Sequence, residues 1–148
     1  MLDGKLYAVG GYGPNDNDLF ASLSSVERYD ATTNAWEAVA PMESARSASG
    51  VAVLEGKLYV AGGYNDDGYL SSVERYDPAL DAWEVVAPMA TARAHLTAAV
   101  LDGKLYAVGG EDGDDYLSSV ERYDPSSNAW EAVAPMAMAR TCHSAALL

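Results

Sequence analysis

The chain is poor in the residues that would announce a chemistry. It has one cysteine, Cys142, in 148 residues, which excludes an internal disulfide framework. It has two histidines, His95 and His143, too few for a clustered catalytic set. No apolar run reaches 18 residues, which excludes a membrane-spanning helix. A repeated pattern begins at Leu2, leaving no room for a secretory signal, so a soluble cytoplasmic protein is expected. Basic residues number nine against 22 acidic ones, a net charge of −13, and no surplus basic patch remains to neutralise phosphates. Nucleic-acid binding is therefore not expected. An apolar content of 49% argues equally against disorder.

What is present is repetition. LDGKLYAVGG at Leu2–Gly11 returns as LEGKLYVAGG from Leu54 and LDGKLYAVGG from Leu101, with offsets of 52 and 47. The five extra residues fall in the longer loop Tyr12–Leu23. Each copy continues through SSVERYD, a tryptophan (Trp36, Trp83, Trp130), Ala-Pro-Met, and an arginine (Arg46, Arg93, Arg140). Leu54–Val100 and Leu101–Leu147 agree at 30 of 47 positions. That similarity fits recent duplication or deliberate consensus design, and an engineered or excised piece of a larger ring is expected. A period near fifty points to a repeat architecture.

One copy reads as four short strands. KLYVA at Lys57–Ala61 is rich in β-formers and stops at Gly62-Gly63, and Val73–Tyr76 alternates as a half-buried strand does. Trp83–Val86 is a third strand, ended by Pro88, and Ala98–Leu101 a fourth. Asp102-Gly103 between apolar runs signals a type I′ hairpin, which needs positive φ at both central residues. Nothing reads as a helix. Four antiparallel strands per fifty-residue unit make the blade of a β-propeller.

The Gly-Gly doublets, the tyrosine of VERYD and the tryptophan six residues past its aspartate resemble the kelch motif over essentially the whole chain. The longer string is similar to the six-bladed kelch domains of Kelch-like substrate adaptors of cullin ubiquitin ligases. The cullin-binding domains of those adaptors are absent, so ligase-adaptor activity does not carry over. The resemblance implies an order A to D from the innermost strand outwards. The chain then reads as a first blade with strands B–D only (2–42), a second (43–89), a third (90–136), and a lone A strand (140–148). Three blades cannot close a ring, since propellers need about 4–8. An all-β, strand-swapped homodimer of two three-bladed chains is therefore expected, each C-terminal strand completing the first blade of the other chain. In this reading the chain is a non-catalytic, self-assembling scaffold and needs no cofactor.

Sorting charge by repeat position separates framework from variation. All nine basic residues and twelve acids recur in register, a net of −3, and the other ten acids stand at variable positions. Eight of those lie in one loop type: Asp16, Asp18, Asp66, Asp67, Glu111, Asp112, Asp114 and Asp115. Neither Asn65–Gly68 nor Glu111–Asp115 has the spacing of a calcium-binding loop, and solvated turns are expected. Two residues past each repeat arginine stand Ala48, His95 and Cys142. In the family this slot opens onto the ligand-binding mouth, where an arginine can bind acidic peptides. With these three residues and the acidic loops, the alternative function is a binding mouth for basic peptides. A zinc site from His95, Cys142 and His143 is not expected, because His143 should face away from its neighbour.

Overall fold

A computed structural model describes residues 4–14 and 19–147, and among them every regular element is a strand. In chain order these are β1 (Leu6–Val9), β2 (Tyr12–Pro14), β3 (Phe20–Ser22), β4 (Val26–Asp30), β5 (Ala35–Val39), β6 (Gly50–Leu54), β7 (Lys57–Ala61) and β8 (Tyr64–Asn65). They continue as β9 (Gly68–Tyr69), β10 (Val73–Asp77), β11 (Ala82–Val86), β12 (Thr97–Leu101), β13 (Lys104–Val108), β14 (Val120–Asp124) and β15 (Ala129–Val133). The main sheets are antiparallel: β1-β4-β5, β6-β7-β10-β11 and β12-β13-β14-β15. The expected strand content is present, and the first sheet lacks the innermost strand that the other two have. Residues 140–147 form bends and coil, with no strand.

The repeated residues explain the repeated geometry. Glu55-Gly56 and Asp102-Gly103 have positive φ at both positions, as a type I′ hairpin requires. Asn34, Asp81 and Asn128 also adopt positive φ, and each accepts the hydroxyl of the VERYD tyrosine at 2.8, 2.8 and 2.9 Å. That tyrosine lies opposite the tryptophan of the next strand, with ring centroids 5.4, 5.1 and 5.3 Å apart in the three copies. Such cross-strand aromatic pairs are the local units that stabilise a sheet.

The sheets pack face to face. Leu58 and Tyr76 of the second sheet are buried against Tyr7, Val9 and Val39 of the first. Tyr59, Ala61 and Val73 are buried with Leu105, Ala107 and Tyr123 of the third. Gly62 explains why the doublet must be glycine: its φ is +64°, and a Cβ there would lie 2.3 Å from the Arg93 carbonyl oxygen.

Each junction also buries an ion pair. Arg46 is fully buried, and its guanidinium donates to Gly62 O (2.8 Å), Ser72 O (3.1 Å), Ser72 Oγ (3.2 Å) and Glu74 Oε1 (2.6 Å). The Glu74 carboxylate accepts in addition the backbone N–H groups of Glu43 (2.7 Å) and Ser44 (3.0 Å). One repeat later, Arg93 donates to Gly109 O, Ser119 O, Ser119 Oγ and Glu121, and Ala90 and Thr91 donate to the Glu121 carboxylate. These contacts offset much of the cost of taking two charges out of water. Glu74 and Glu121 of VERYD are thus each salt-linked to an arginine about thirty residues earlier in the chain.

Candidate functional site

The three slots Ala48, His95 and Cys142 share one backbone geometry, left-handed with φ of 53°, 53° and 50°. That conformation costs an ordinary residue about 1–2 kcal/mol. It is held by hydrogen bonds in series: His95 N donates to Ala48 O at 2.7 Å, and Cys142 N to His95 O at 3.0 Å. The line thus steps from one sheet to the next along the inner end of the fold. Positive φ at three non-glycine residues left no signal in their residue types.

The acidic loops reach this line. Ser47 pairs with Tyr64, and Ala94 with Glu111, through reciprocal backbone hydrogen bonds of 2.9 Å. Two of these loops fold as hairpins, β2-β3 and β8-β9, rather than as irregular turns. Glu111 is the point of convergence. Its Oε1 accepts the Tyr69 hydroxyl at 3.1 Å and lies 4.0 Å from His95 Nε2, and its Oε2 accepts the Thr141 hydroxyl at 3.5 Å. Burial, then the hydrogen bond to Glu111, raises the Tyr69 hydroxyl above its ordinary pKa.

Four of the remaining loop acids, Asp66, Asp67, Asp114 and Asp115, line two hollows. One, of about 490 Å³, is lined by Tyr69, Glu111, Gly113, Asp114, Asp115 and Tyr116. The other, of about 320 Å³, lies one repeat earlier and is lined by Ser22, Glu43, Ser44, Ala45, Asn65, Asp66 and Asp67. Asp112 faces its own loop: Oδ1 accepts the N–H groups of Asp114 (3.0 Å) and Asp115 (2.9 Å), which hold its carboxyl below the usual range. Cys142 is exposed, with its sulfur 3.8 Å from the Thr141 hydroxyl. Asp16 and Asp18 lie outside the described residues. Among the described residues no group of three or more histidine, cysteine or acidic side chains is placed to hold a metal, and no helix is long and apolar enough to cross a membrane.

Tyr69 and Tyr116 were missed as lining residues, although YLSS stands in both the second and third copies. The two tyrosines stand beside the carboxylates of Glu111, Asp114 and Asp115.

The Kelch motif model matches residues 1–43, 45–90 and 92–137. Kelch-like protein 35 of Mus musculus is 48% identical over 67 residues, which are 45% of this chain and 11% of that protein. Kelch-like protein 28 of Homo sapiens is 46% identical over 73 residues, 47% and 13% of the two chains. The influenza virus NS1A-binding protein homolog of Mus musculus is 44% identical over 64 residues, 43% and 9%. The matched segments are thus about a tenth of these relatives' length. Among solved structures, that of YjhT superposes with a TM-score of 0.81 at 19% identity, covering 93% of this chain and 51% of that one.

Proposed function

The chain belongs to the Kelch-motif family, and from that premise we propose that it is a non-catalytic kelch module that assembles with a second copy into a six-bladed ring. The observation that carries the proposal is the mismatch between the ends: β1 pairs only with β4, whereas β7 and β13 each have an inner neighbour, β6 and β12. Residues 140–147 are the third copy of that inner segment and form no strand. The register β12–β13, Thr97 opposite Val108 through Val100 opposite Leu105, carries over by the repeat offsets. It sets Ser144 opposite Val9 and Leu147 opposite Leu6 of the other copy. The 51% coverage of the YjhT chain supports a half-ring. In the assigned division, residues 2–42 form blade 1, 43–89 blade 2, 90–136 blade 3, and 140–148 the exchanged A strand.

Amide hydrogen exchange tests this directly. In the ring, the amides of Ser144–Leu147 and of β1 exchange as slowly as those of β12 and β13. Fast exchange of both segments in the folded protein overturns strand completion.

The hollow between Tyr69 and Tyr116 favours a second reading, in which the ring's mouth binds proteins or peptides bearing lysine or arginine. In this reading Ala48, His95 and Cys142 line the inner edge of the mouth, and Asp66, Asp67, Glu111, Asp112, Asp114 and Asp115 supply its charge. Titration with Lys/Arg-rich and Asp/Glu-rich peptides at low and high salt decides it. Basic peptides bind, and added salt weakens them; preference for acidic peptides, or binding indifferent to salt, contradicts the reading.

A further inference from the structure

The buried ion pair is present twice and half-present at each end of the chain. Arg140 is the third repeat arginine, and its backbone is already held: its N donates to Leu117 O at 3.1 Å, and its O accepts Gly110 N at 2.9 Å. Arg46 and Arg93 have the same backbone bonds. Yet the Arg140 side chain is exposed, with no hydrogen bond or ion pair to any described residue, while those of Arg46 and Arg93 are fully buried. At the other end Glu27, the first copy of Glu74 and Glu121, is exposed and equally unpaired among the described residues. The carbonyl acceptors of a third lock stand beside it at Gly10 and Ser25, whose mutual hydrogen bond, Gly10 N to Ser25 O at 3.0 Å, matches Gly62–Ser72.

Other contacts across the junctions show the same halves. Trp83 Nε1 donates to Ala40 O, and Trp130 Nε1 to Ala87 O, both at 2.8 Å. Trp36 Nε1 has no acceptor among the described residues, and Trp36 is 47% exposed. Asp81 and Asn128 accept the backbone N–H of Ala40 and Ala87 at 2.9 Å; among the described residues Asn34 accepts only the hydroxyl of its own Tyr29.

We infer that Arg140 of one copy and Glu27 of a second copy form a buried inter-chain lock, made twice in the dimer, which sets the partner as a second copy of this chain in one register. The guanidinium of Arg140 donates to Glu27, to the carbonyls of Gly10 and Ser25, and to the Ser25 hydroxyl. The N–H groups of Ala137 and Met138 cap the same carboxylate, as Glu43 and Ser44 cap Glu74. Trp36 donates to Ala134 O, and Ala134 N to Asn34. Each unpaired donor at one end meets an unpaired acceptor at the other, so the surfaces are complementary rather than alike. The inference rests on the six-blade assembly proposed above.

Three samples separate the lock from the assembly: wild type, Glu27→Gln and Arg140→Gln, with masses followed on dilution. Wild type is a dimer, and each variant dissociates at concentrations more than about a hundredfold higher, because each leaves a buried charge unpaired. Mixing or co-expressing the two variants restores association, since their heterodimer retains one intact Arg140–Glu27 pair. A variant that fails to fold alone is recovered with its complement when one of the two is tagged. A monomeric wild type refutes the ring itself. A dimeric wild type with equally tight variants, or a mixture no tighter than either variant, refutes the lock and leaves the ring standing.

Discussion

The two internal junctions and the two open ends of the chain are made of the same residues in opposite states. Leu58 and Leu105 are buried in the junctions, while their first-copy equivalent Leu6 is 60% exposed. Tyr76 and Tyr123 are buried, and Trp83 and Trp130 are half-buried with their Nε1 groups bonded; Trp36 stands open. Arg46 and Arg93 are enclosed with their glutamates, whereas Arg140 and Glu27 are exposed. Sequence position alone does not decide burial here. The neighbouring blade does, and at the two ends of one chain that neighbour is missing. Stability in a repeat array is close to a sum of unit and interface terms, so a lone chain has two junctions for three sheets, and a closed pair has six for six.

The comparison can be broken most severely at the C-terminus. In the proposed ring, removing Thr141–Leu148 deprives β1 of the other copy of its inner neighbour and should abolish the folded dimer; a truncated chain that melts cooperatively at the parent temperature contradicts strand exchange. Next in size is the internal ion pair. Glu74→Gln strands a buried guanidinium and is expected to cost about 3–5 kcal/mol in chemical unfolding. The pair Arg28–Glu37, 2.7 Å apart but with the glutamate about half exposed, should cost no more than about 1 kcal/mol when broken. Equal costs would mean that burial at the junction carries no energetic weight. Gly62→Ala is expected to cost about 2 kcal/mol or more, because strain at φ +64° adds to the clash with the Arg93 carbonyl.

The smallest expected effects are those of pH. His143 is half-buried, with both ring nitrogens shielded and unpartnered, and burial followed by the charge of Arg140 pushes its pKa below 6.5. A depressed histidine stabilises the folded state fully above its unfolded value and loses that contribution as pH falls towards the folded one. Thermal stability should therefore drop between about pH 7 and 5, and His143→Leu, which copies Leu96 one repeat earlier, should flatten that drop. At lower pH the carboxylates take over. Lys5 and the Thr32 N–H hold Asp30 down to about 2, and Lys57 and Lys104 similarly depress Asp77 and Asp124. Their contribution is complete above about pH 4 and fades as pH falls through the lowered values. It is modest, because these pairs are partly exposed.

Most of the fold was legible because its signals are local. Asp-Gly turns, alternation in VERYD and the proline after each tryptophan strand act within a few residues, and three copies repeat each signal. The missing inner strand could be read as well, since the repeat phase at Leu2 and Leu148 is a counting matter. What could not be read depends on contacts across thirty or forty residues. Nothing in the string SARSAS shows that Ala48 has φ of 53°, or that Arg46 finds Glu74 rather than solvent. The two hollows were hidden for the same reason: each joins loops from neighbouring repeats, and Tyr69 meets Glu111 only after the sheets have packed.

The central claim is that one chain is half of a closed ring, and the mass of the folded protein in solution tests it most directly. Light scattering down to micromolar concentration should give about 31 kDa, twice the 15.6 kDa chain, with a melting temperature that rises with concentration. A stable, folded species of 15.6 kDa whose melting does not depend on concentration would contradict it.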